Sequence, residues 1–243
     1  MQLTYAMLTN VGSRSVNEDS ARAQIVGDKA CFVVCDGLGG HGMGDIASSL
    51  VADVFMQNFN ETIDAGTFLE DVFPVAQDAL IEEQKRRGAQ KKMKTTAVVL
   101  VSDEKYAYIG HVGYSRGYYF RRGRYKSRTK DHSIPQMLVL SREIKESEIR
   151  NHPDRNIVLR VMGVEWEDPQ YELEKPIPLI NKQAFLLCSD GFWELIEEKQ
   201  MCQLLKKAKN VQEWLDGMKN IVINNGVGRE MDNFTAVAVW CSK

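Results

Sequence analysis

Phe32-Val33-Val34-Cys35-Asp36-Gly37 is an apolar run that stops at an acid and a glycine, and Phe185-Leu186-Leu187-Cys188-Ser189-Asp190-Gly191 has the same form. A run without polar alternation reads as a strand buried on both faces. Each run therefore delivers an aspartate to the rim of a core. An Asp-Gly after a strand is ordinarily a turn, but two such strands can bring two carboxylates to one place. More acids lie in equivalent positions. Asn17-Glu18-Asp19 precedes a strand-like segment at 20–26, and Met231-Asp232-Asn233 precedes the last one. Glu18, Asp19, Asp36, Asp190 and Asp232 thus all fall at expected strand ends. Like charges do not stay ionised together without a counter-charge. Divalent cations would supply it, and oxygen donors without His or Cys favour Mg²⁺ or Mn²⁺. In the alternative reading each carboxylate caps its own turn and the five never meet. Spacing alone leaves both open.

Around these runs, segments rich in β-branched and aromatic residues predict strands at 20–26, 30–35, 95–101, 106–112, 117–120, 124–129, 171–176, 184–188 and 233–240. Ile46, Ala47, Leu50, Val51, Val54, Phe55 and Phe59 recur at helical spacing and predict a helix over 45–59. Thr67 with Glu70 reads as a capping box opening a helix towards Arg87, in which Pro74 either makes a kink or starts the helix proper. Trp214, Leu215, Met218, Ile221 and Val222 share one face of a helix over 211–224. Strands in runs joined by short turns, with helices before and after, predict an α+β fold of antiparallel sheet packed by helices. No repeat or low-complexity linker divides the chain, so one domain over 1–243 is expected.

Composition excludes several classes. The 243 residues are 44% hydrophobic and 26% charged, which predicts a packed globule. The longest aliphatic stretch, 97–101, is far below the roughly 18 residues of a membrane span, and no signal peptide is expected. A net charge of −2 argues against a nucleic-acid binder. Five cysteines without a C-x-x-C pair predict reduced thiols in a core and a cytoplasmic location, and four scattered histidines predict no zinc site of His and Cys. The run Gly37-Leu38-Gly39-Gly40-His41-Gly42 contains a literal G-x-G-x-x-G, but 61–66 is short and polar where a second parallel strand should follow. These glycines are expected to let the backbone pass close to metals and substrate.

Arg14 stands just before the first acidic cluster. A guanidinium matches phosphate oxygens through two parallel hydrogen bonds. The alternative is a surface ion pair with Glu18 or Asp19. Arg122, Arg124, Lys126, Arg128 and Lys130 alternate, so a strand would project them from one face, either solvated or steering phosphorylated proteins. The basic residues of 85–94 read as a solvated loop.

In order along the chain, Arg14-x-x-Asn17-Glu18-Asp19, Asp36-Gly37-Leu38-Gly39-Gly40-His41, Gly113-Tyr114-Ser115-Arg116, Ser189-Asp190-Gly191 and Asp232-Asn233-Phe234-Thr235 resemble the metal-dependent Ser/Thr protein phosphatases of type 2C. Lys130-Asp131-His132-Ser133 and Asn151-His152-Pro153 fit the bacterial single-domain branch. The resemblance implies a four-layer α-β-β-α sandwich of two antiparallel sheets, with metals at one end of the sheets. It implies that Asp36 bridges two Mn²⁺ or Mg²⁺ ions, that Asp190 and Asp232 complete one, and that Glu18 and the Gly37 carbonyl help hold the other. Asp19 would orient the attacking water and Arg14 would hold the phosphate. The implied reaction is in-line attack of a metal-activated water on phosphoserine or phosphothreonine, without a covalent intermediate. The implied partners are phosphorylated proteins, namely a Ser/Thr kinase and its substrates in bacterial signalling. A monomer is expected, with 133–160 as a flap beside the site or, alternatively, a rigid surface helix.

Two positions depart from the pattern. Leu38 stands where eukaryotic members carry a histidine proposed as the leaving-group acid, which leaves solvent water in that role. Tyr114 stands where the family has the aspartate of G-D-S-R. A phenol with an ordinary pKa near ~10 is a poor ligand for a hard cation, so a third, weaker ion is expected to be impaired or absent. Two other readings are a phosphoprotein-binding module of the same fold with little or no catalysis, and another two-metal hydrolase acting on phosphodiesters.

Overall fold

A strand buried on both faces needs a packed layer on each side, and both apolar runs find one. The computed structural model describes residues 1–38, 42–90 and 92–242; Gly39, Gly40 and His41 of the glycine run, and Lys91, lie outside the described residues. In chain order the elements are β1 (Gln2–Asn10), β2 (Asp19–Val26), β3 (Lys29–Leu38), α1 (Gly44–Asn58), α2 (Phe68–Arg87), β4 (Lys94–Thr95), β5 (Ala97–Ser102), β6 (Tyr106–Val112), β7 (Arg116–Arg121) and β8 (Arg124–Arg128). There follow α3 (Ile134–Leu140), a 3₁₀ turn (Glu146–Asn151), β9 (Glu172–Leu173), β10 (Ile177–Pro178), β11 (Gln183–Cys188), α4 (Asp190–Trp193), α5 (Glu198–Lys207), α6 (Val211–Gly226) and β12 (Phe234–Ser242).

One sheet has the order β1-β12-β11-β7-β8; the other has β10-β6-β5-β3-β2, with β4 added to β3 and β9 to β6. On β3, Phe32 and Val34 meet Val98, Leu100, Phe185, Leu187, Val237 and Val239 between the sheets. Cys31, Val33 and Cys35 point the other way, into a cluster with Val51 and Phe55 of α1 and Phe73 and Leu80 of α2. On β11, Leu186 and Cys188 pack outward with Trp214, Met218 and Val222 of α6. Helix, sheet, sheet and helix stack as four layers. Each fully buried large side chain such as Phe32 contributes about 1.5–3 kcal/mol.

Register then fixes where the acids go. Asp19 lies directly across from Asp36 in the β2–β3 pair. Cys188 lies across from Ala236 in the β11–β12 pair, so Asp190, just past β11, and Asp232, just before β12, share one edge.

Several expectations are corrected. The strand over 171–176 is replaced by the two-residue β9 and β10, since Pro176 and Pro178 remove ladder donors. Pro74 neither ends nor begins a helix: α2 runs through it, and Thr67 makes no side-chain cap bond. β1 had no predicted counterpart, because only Ala6 is buried along it. Arg128 leaves the exposed basic row; its side chain is buried against Asp131 (3.2 Å) and Glu146 (3.0 Å). The five cysteines are free thiols, four of them buried.

Candidate active site

At this end of the sheets, Gly37 threads a passage that no other residue fits. A Cβ there would lie 2.2 Å from the Gly44 carbonyl oxygen and 2.6 Å from that of Glu18. Its N–H donates to the Glu18 carbonyl (3.0 Å). The Glu18 carboxylate accepts from the Gly44 N–H where α1 begins, while burial pushes its pKa up. Asn233 fastens the same loop to the head of β12. Its Oδ1 accepts from the Glu18 N–H (2.8 Å), and its Nδ2 donates to the carbonyls of Val11 (2.8 Å) and Val16 (3.0 Å).

Asp19 is buried, and its Oδ2 accepts from the Ser189 hydroxyl at 2.7 Å. Thr235 gives it a second hydrogen bond, yet burial pushes its pKa up to about 7. Asp36 and Asp190 lie close enough to perturb each other's ionisation. Both pKa values are raised, first by burial, then by neighbouring acids: Asp190 and Asp19 for Asp36, Glu194 and Asp232 for Asp190. Two carboxyls so placed must share a proton or hold a cation. The Asp36 backbone is fixed: its N–H donates to Thr96 Oγ1 (3.1 Å), and its carbonyl accepts from Thr95 Oγ1 (2.9 Å).

Arg14 does not pair with Glu18 or Asp19. Its Nε and Nη2 hold the two oxygens of Asp232 at 3.0 and 2.9 Å. Among the described residues, Glu18, Asp19, Asp36 and Asp190 have no Lys, Arg or His partner within ion-pair distance, whereas Asp232 has Arg14. These are buried or half-buried carboxyls without a basic partner, presented entirely by oxygen. The donor set fits hard divalent cations.

Glu18, Asp36 and Asp232 line a cleft of about 810 Å³ together with Arg14, Leu38 and Tyr114, and Asp190 lines a smaller hollow beside it. A cavity of the same size lies between the far ends of β7, β11 and β12, beside Arg122, Lys182 and Lys206, and among the described residues no carboxylate lines it. Size does not choose between them; donor chemistry does. Tyr114 is 7% exposed. Burial, with Asp190, Asp36, Asp232 and Asp19 nearby, raises its pKa well above that of an ordinary phenol, so a neutral hydroxyl-bearing ring faces the acids.

The turn carrying Tyr114 is tightly held. Gly113 has φ +100°, and a Cβ there would strike Thr96 Cγ2 at 2.5 Å. The Gly113 N–H donates to His132 Nδ1 (3.1 Å) and the Tyr114 carbonyl accepts from Trp193 Nε1 (3.1 Å). Arg116 stacks 3.4 Å over the Trp193 ring and grips Asp131 with two hydrogen bonds of 2.8 and 2.6 Å. The histidines are less scattered than the sequence predicts: His111 and His132 stack at 4.6 Å, with Glu172 close by. The Gly113 donor fixes the His132 proton on Nε2, so this ring does not offer that nitrogen as a ligand.

The structure thus brings Glu18, Asp19, Asp36, Gly37, Asp190 and Asp232 to one end of the sheets, with Arg14 and Tyr114 beside them. The sequence reading gave no role to Ser189, Thr235 or Asn233. Their one signal was adjacency to Asp190 and Asp232 within the quoted motifs.

Comparison with known proteins adds a second line. Residues 9–233 match the family described as protein phosphatase 2C. The chain is 30% identical over 234 residues to the serine/threonine phosphatase Stp of Listeria innocua, covering 93% of this chain and 90% of that one. Its fold superposes on the crystal structure of the Staphylococcus aureus serine/threonine phosphatase Stp1 with a TM-score of 0.87 at 27% identity, covering 100% of this chain and 96% of that one. The catalytic domain of the serine/threonine phosphatase PstP, solved in complex with 2 manganese ions, matches in fold with a TM-score of 0.85 at 24% identity, covering 99% of each chain.

Proposed function

Since the chain belongs to the protein phosphatase 2C family, we propose that it removes phosphate from phosphoserine and phosphothreonine in proteins with the help of Mn²⁺ or Mg²⁺. The observation that carries this reading is the uncompensated, all-oxygen cluster of Asp19, Asp36 and Asp190. Asp36, Asp190, Asp232, Glu18 and the Gly37 carbonyl would hold two ions. When bound, the ions supply Lewis acidity and neutralise charge on the phosphoryl oxygens.

The chain's own groups do the rest. Asp19, fixed by the Ser189 and Thr235 hydroxyls, accepts a hydrogen bond from the attacking water and aligns it. Arg14 presents two parallel donors. The fork that now grips Asp232 suits two phosphoryl oxygens equally. An ion held by Asp232 would compete with the guanidinium for the same carboxylate charge and weaken that grip, leaving the fork freer for substrate. Water attacks phosphorus, the bond to the seryl or threonyl oxygen breaks, and that oxygen takes its proton from solvent, because Leu38 has none to give.

Tyr114 would leave two ions to the acids and would offer little to a third. A neutral, buried phenol stands where a carboxylate would be needed. The same observation favours one alternative, a phosphoprotein-binding module with slow turnover. The substrates are proteins phosphorylated by a Ser/Thr kinase. We place the protein in the cytoplasm as a monomer; no described helix is long and apolar enough to cross a membrane. The 133–160 segment, with α3 and its 3₁₀ turn, acts as a flap over the cleft.

Hydrolysis of p-nitrophenyl phosphate and of a phosphothreonine peptide with Mn²⁺, with EDTA, and by Asp36→Asn tests the reading. Metal-dependent release that Asp36→Asn abolishes supports it. Phosphopeptide binding without release favours the binding module, and preferred cleavage of diesters favours another hydrolase.

A further inference from the structure

The candidate cleft, at about 810 Å³, has far more room than one phosphoryl group, and its remaining walls are not neutral. Lys92 and Lys94 line one side, and Val158 and Val161 line another. Both lysines come from the run that the sequence presents as a solvated loop. Instead, Lys94 lies in β4, directly across from Leu38, while Thr95 lies across from Gly37. Side chains opposite each other in an antiparallel pair share a face, and residues two apart on one strand share it too. Lys94 therefore projects on the side of β3 that carries Leu38 and Asp36.

β4 is also held rigidly. The Thr95 N–H donates to the Met162 carbonyl (3.3 Å) and the Met162 N–H to the Thr95 carbonyl (2.9 Å). Thr95 Oγ1 ties the same residue to the Asp36 carbonyl (2.9 Å). Among the described residues, neither Lys92 nor Lys94 has a carboxylate within ion-pair distance. The acids that line the cleft, Glu18, Asp36 and Asp232, belong to the proposed ion set. Both lysines thus line the same cleft as these acids, without a carboxylate partner of their own.

We propose that Lys92 and Lys94 form an anion subsite that selects phosphosites carrying a second acidic group, a carboxylate or a further phosphate, close to the scissile one. This rests on the phosphatase reading above and names its substrate class. Ammonium groups act as point charges on flexible stems and accept either anion. The apolar wall of Val158 and Val161 lowers the local dielectric and strengthens the attraction.

The test uses Mn²⁺-loaded protein and fluorescent, non-hydrolysable phosphonate peptides of one length with neutral, lysine, aspartate or phosphoserine-phosphonate flanks. Binding is read by anisotropy, alongside kcat/KM for the matching phosphothreonine peptides. The wild type should prefer acidic flanks by roughly five- to tenfold at low ionic strength, and the preference should shrink in high salt. Lys92→Ser/Lys94→Ser should bring the ratio of acidic to neutral flanks within about twofold of one. Lys92→Glu/Lys94→Glu should turn the preference towards lysine-flanked peptides. Taking a ratio cancels any general loss of folding or turnover. A gain with aspartate names a carboxylate as the ligand, and a gain only with phosphoserine names a second phosphate; either supports the subsite. Equal affinities in the wild type, or a preference that survives in the double serine variant, overturn it. Hydrolysis of every peptide at a flat ratio would sink the subsite alone. Tighter binding of acidic flanks with no hydrolysis would keep the subsite and sink the phosphatase reading.

Discussion

At Tyr114 a buried phenol faces four carboxylates, and burial together with those acids holds it neutral. A hard cation gains little from such an oxygen. Tyr114→Asp should therefore reach full activity at lower Mn²⁺ and show a higher plateau. Superimposable Mn²⁺ curves for the two proteins would show that the position is irrelevant to ion binding. The acids themselves make a second prediction. Asp19 and Asp190 move from an ordinary 3.8 to about 7 and about 8 when no ion is present. Between pH 4 and these values the folded form binds more protons than the unfolded chain, so stability falls as pH rises, by up to ~1.4 kcal/mol per pH unit per proton. In EDTA the urea midpoint should drop from pH 6 to pH 8, and Mn²⁺ should restore more stability at pH 8 than at pH 6. An equal Mn²⁺ gain at both pH values would mean that the carboxylates do not need a counter-ion.

Among the elements, the β6–β7 turn is held by His132, by Trp193 and by the Arg116–Asp131 pair at its end. Arg116 and Asp131 are both buried, and Arg128 adds a second cation to Asp131. Burial opposes ionisation of Asp131, and the two arginines outweigh it, so its pKa is lowered. Asp131→Asn leaves a buried guanidinium without its charge partner. It should cost about 3–5 kcal/mol in urea unfolding. A loss below 1 kcal/mol would show that the pair does not brace the turn. Legibility at this scale follows burial. α1 and α6 have one apolar face each, and β3 and β11 are apolar on both, so periodicity found them. β1 lies at a sheet edge with a largely exposed pattern, which leaves almost no apolar signal. α5 buries only Met201 completely, and its neighbours Lys206 and Lys207 give it a polar look. Pro74 does not start the helix: α2 runs through it, because a long helix packed on both α1 and the sheet tolerates one missing donor.

For the molecule as a whole, convergence of the acids is a property of topology. Residues 18, 36, 190 and 232 are far apart in sequence; the antiparallel pairing of β2 with β3 and of β11 with β12, and the stacking of their two sheets, set the strand ends side by side. Local spacing could not decide between five separate caps and one cluster; the ordered motifs could, through resemblance. The hydroxyls and amide that steady the cluster, Ser189, Thr235 and Asn233, act across 46 to 222 residues of chain, so no short sequence window contains both partners. The reach of Lys92 and Lys94 into the cleft is equally non-local, since β4 gains its place only by joining β3. The most direct trial of the account is phosphate release from a phosphothreonine peptide by metal-stripped protein as Mn²⁺ is added back, with Asp36→Asn in parallel. The account predicts no release without metal, recovery with added Mn²⁺, and a flat line for Asp36→Asn. Release that is the same with and without Mn²⁺, or an Asp36→Asn protein that recovers fully, would contradict it.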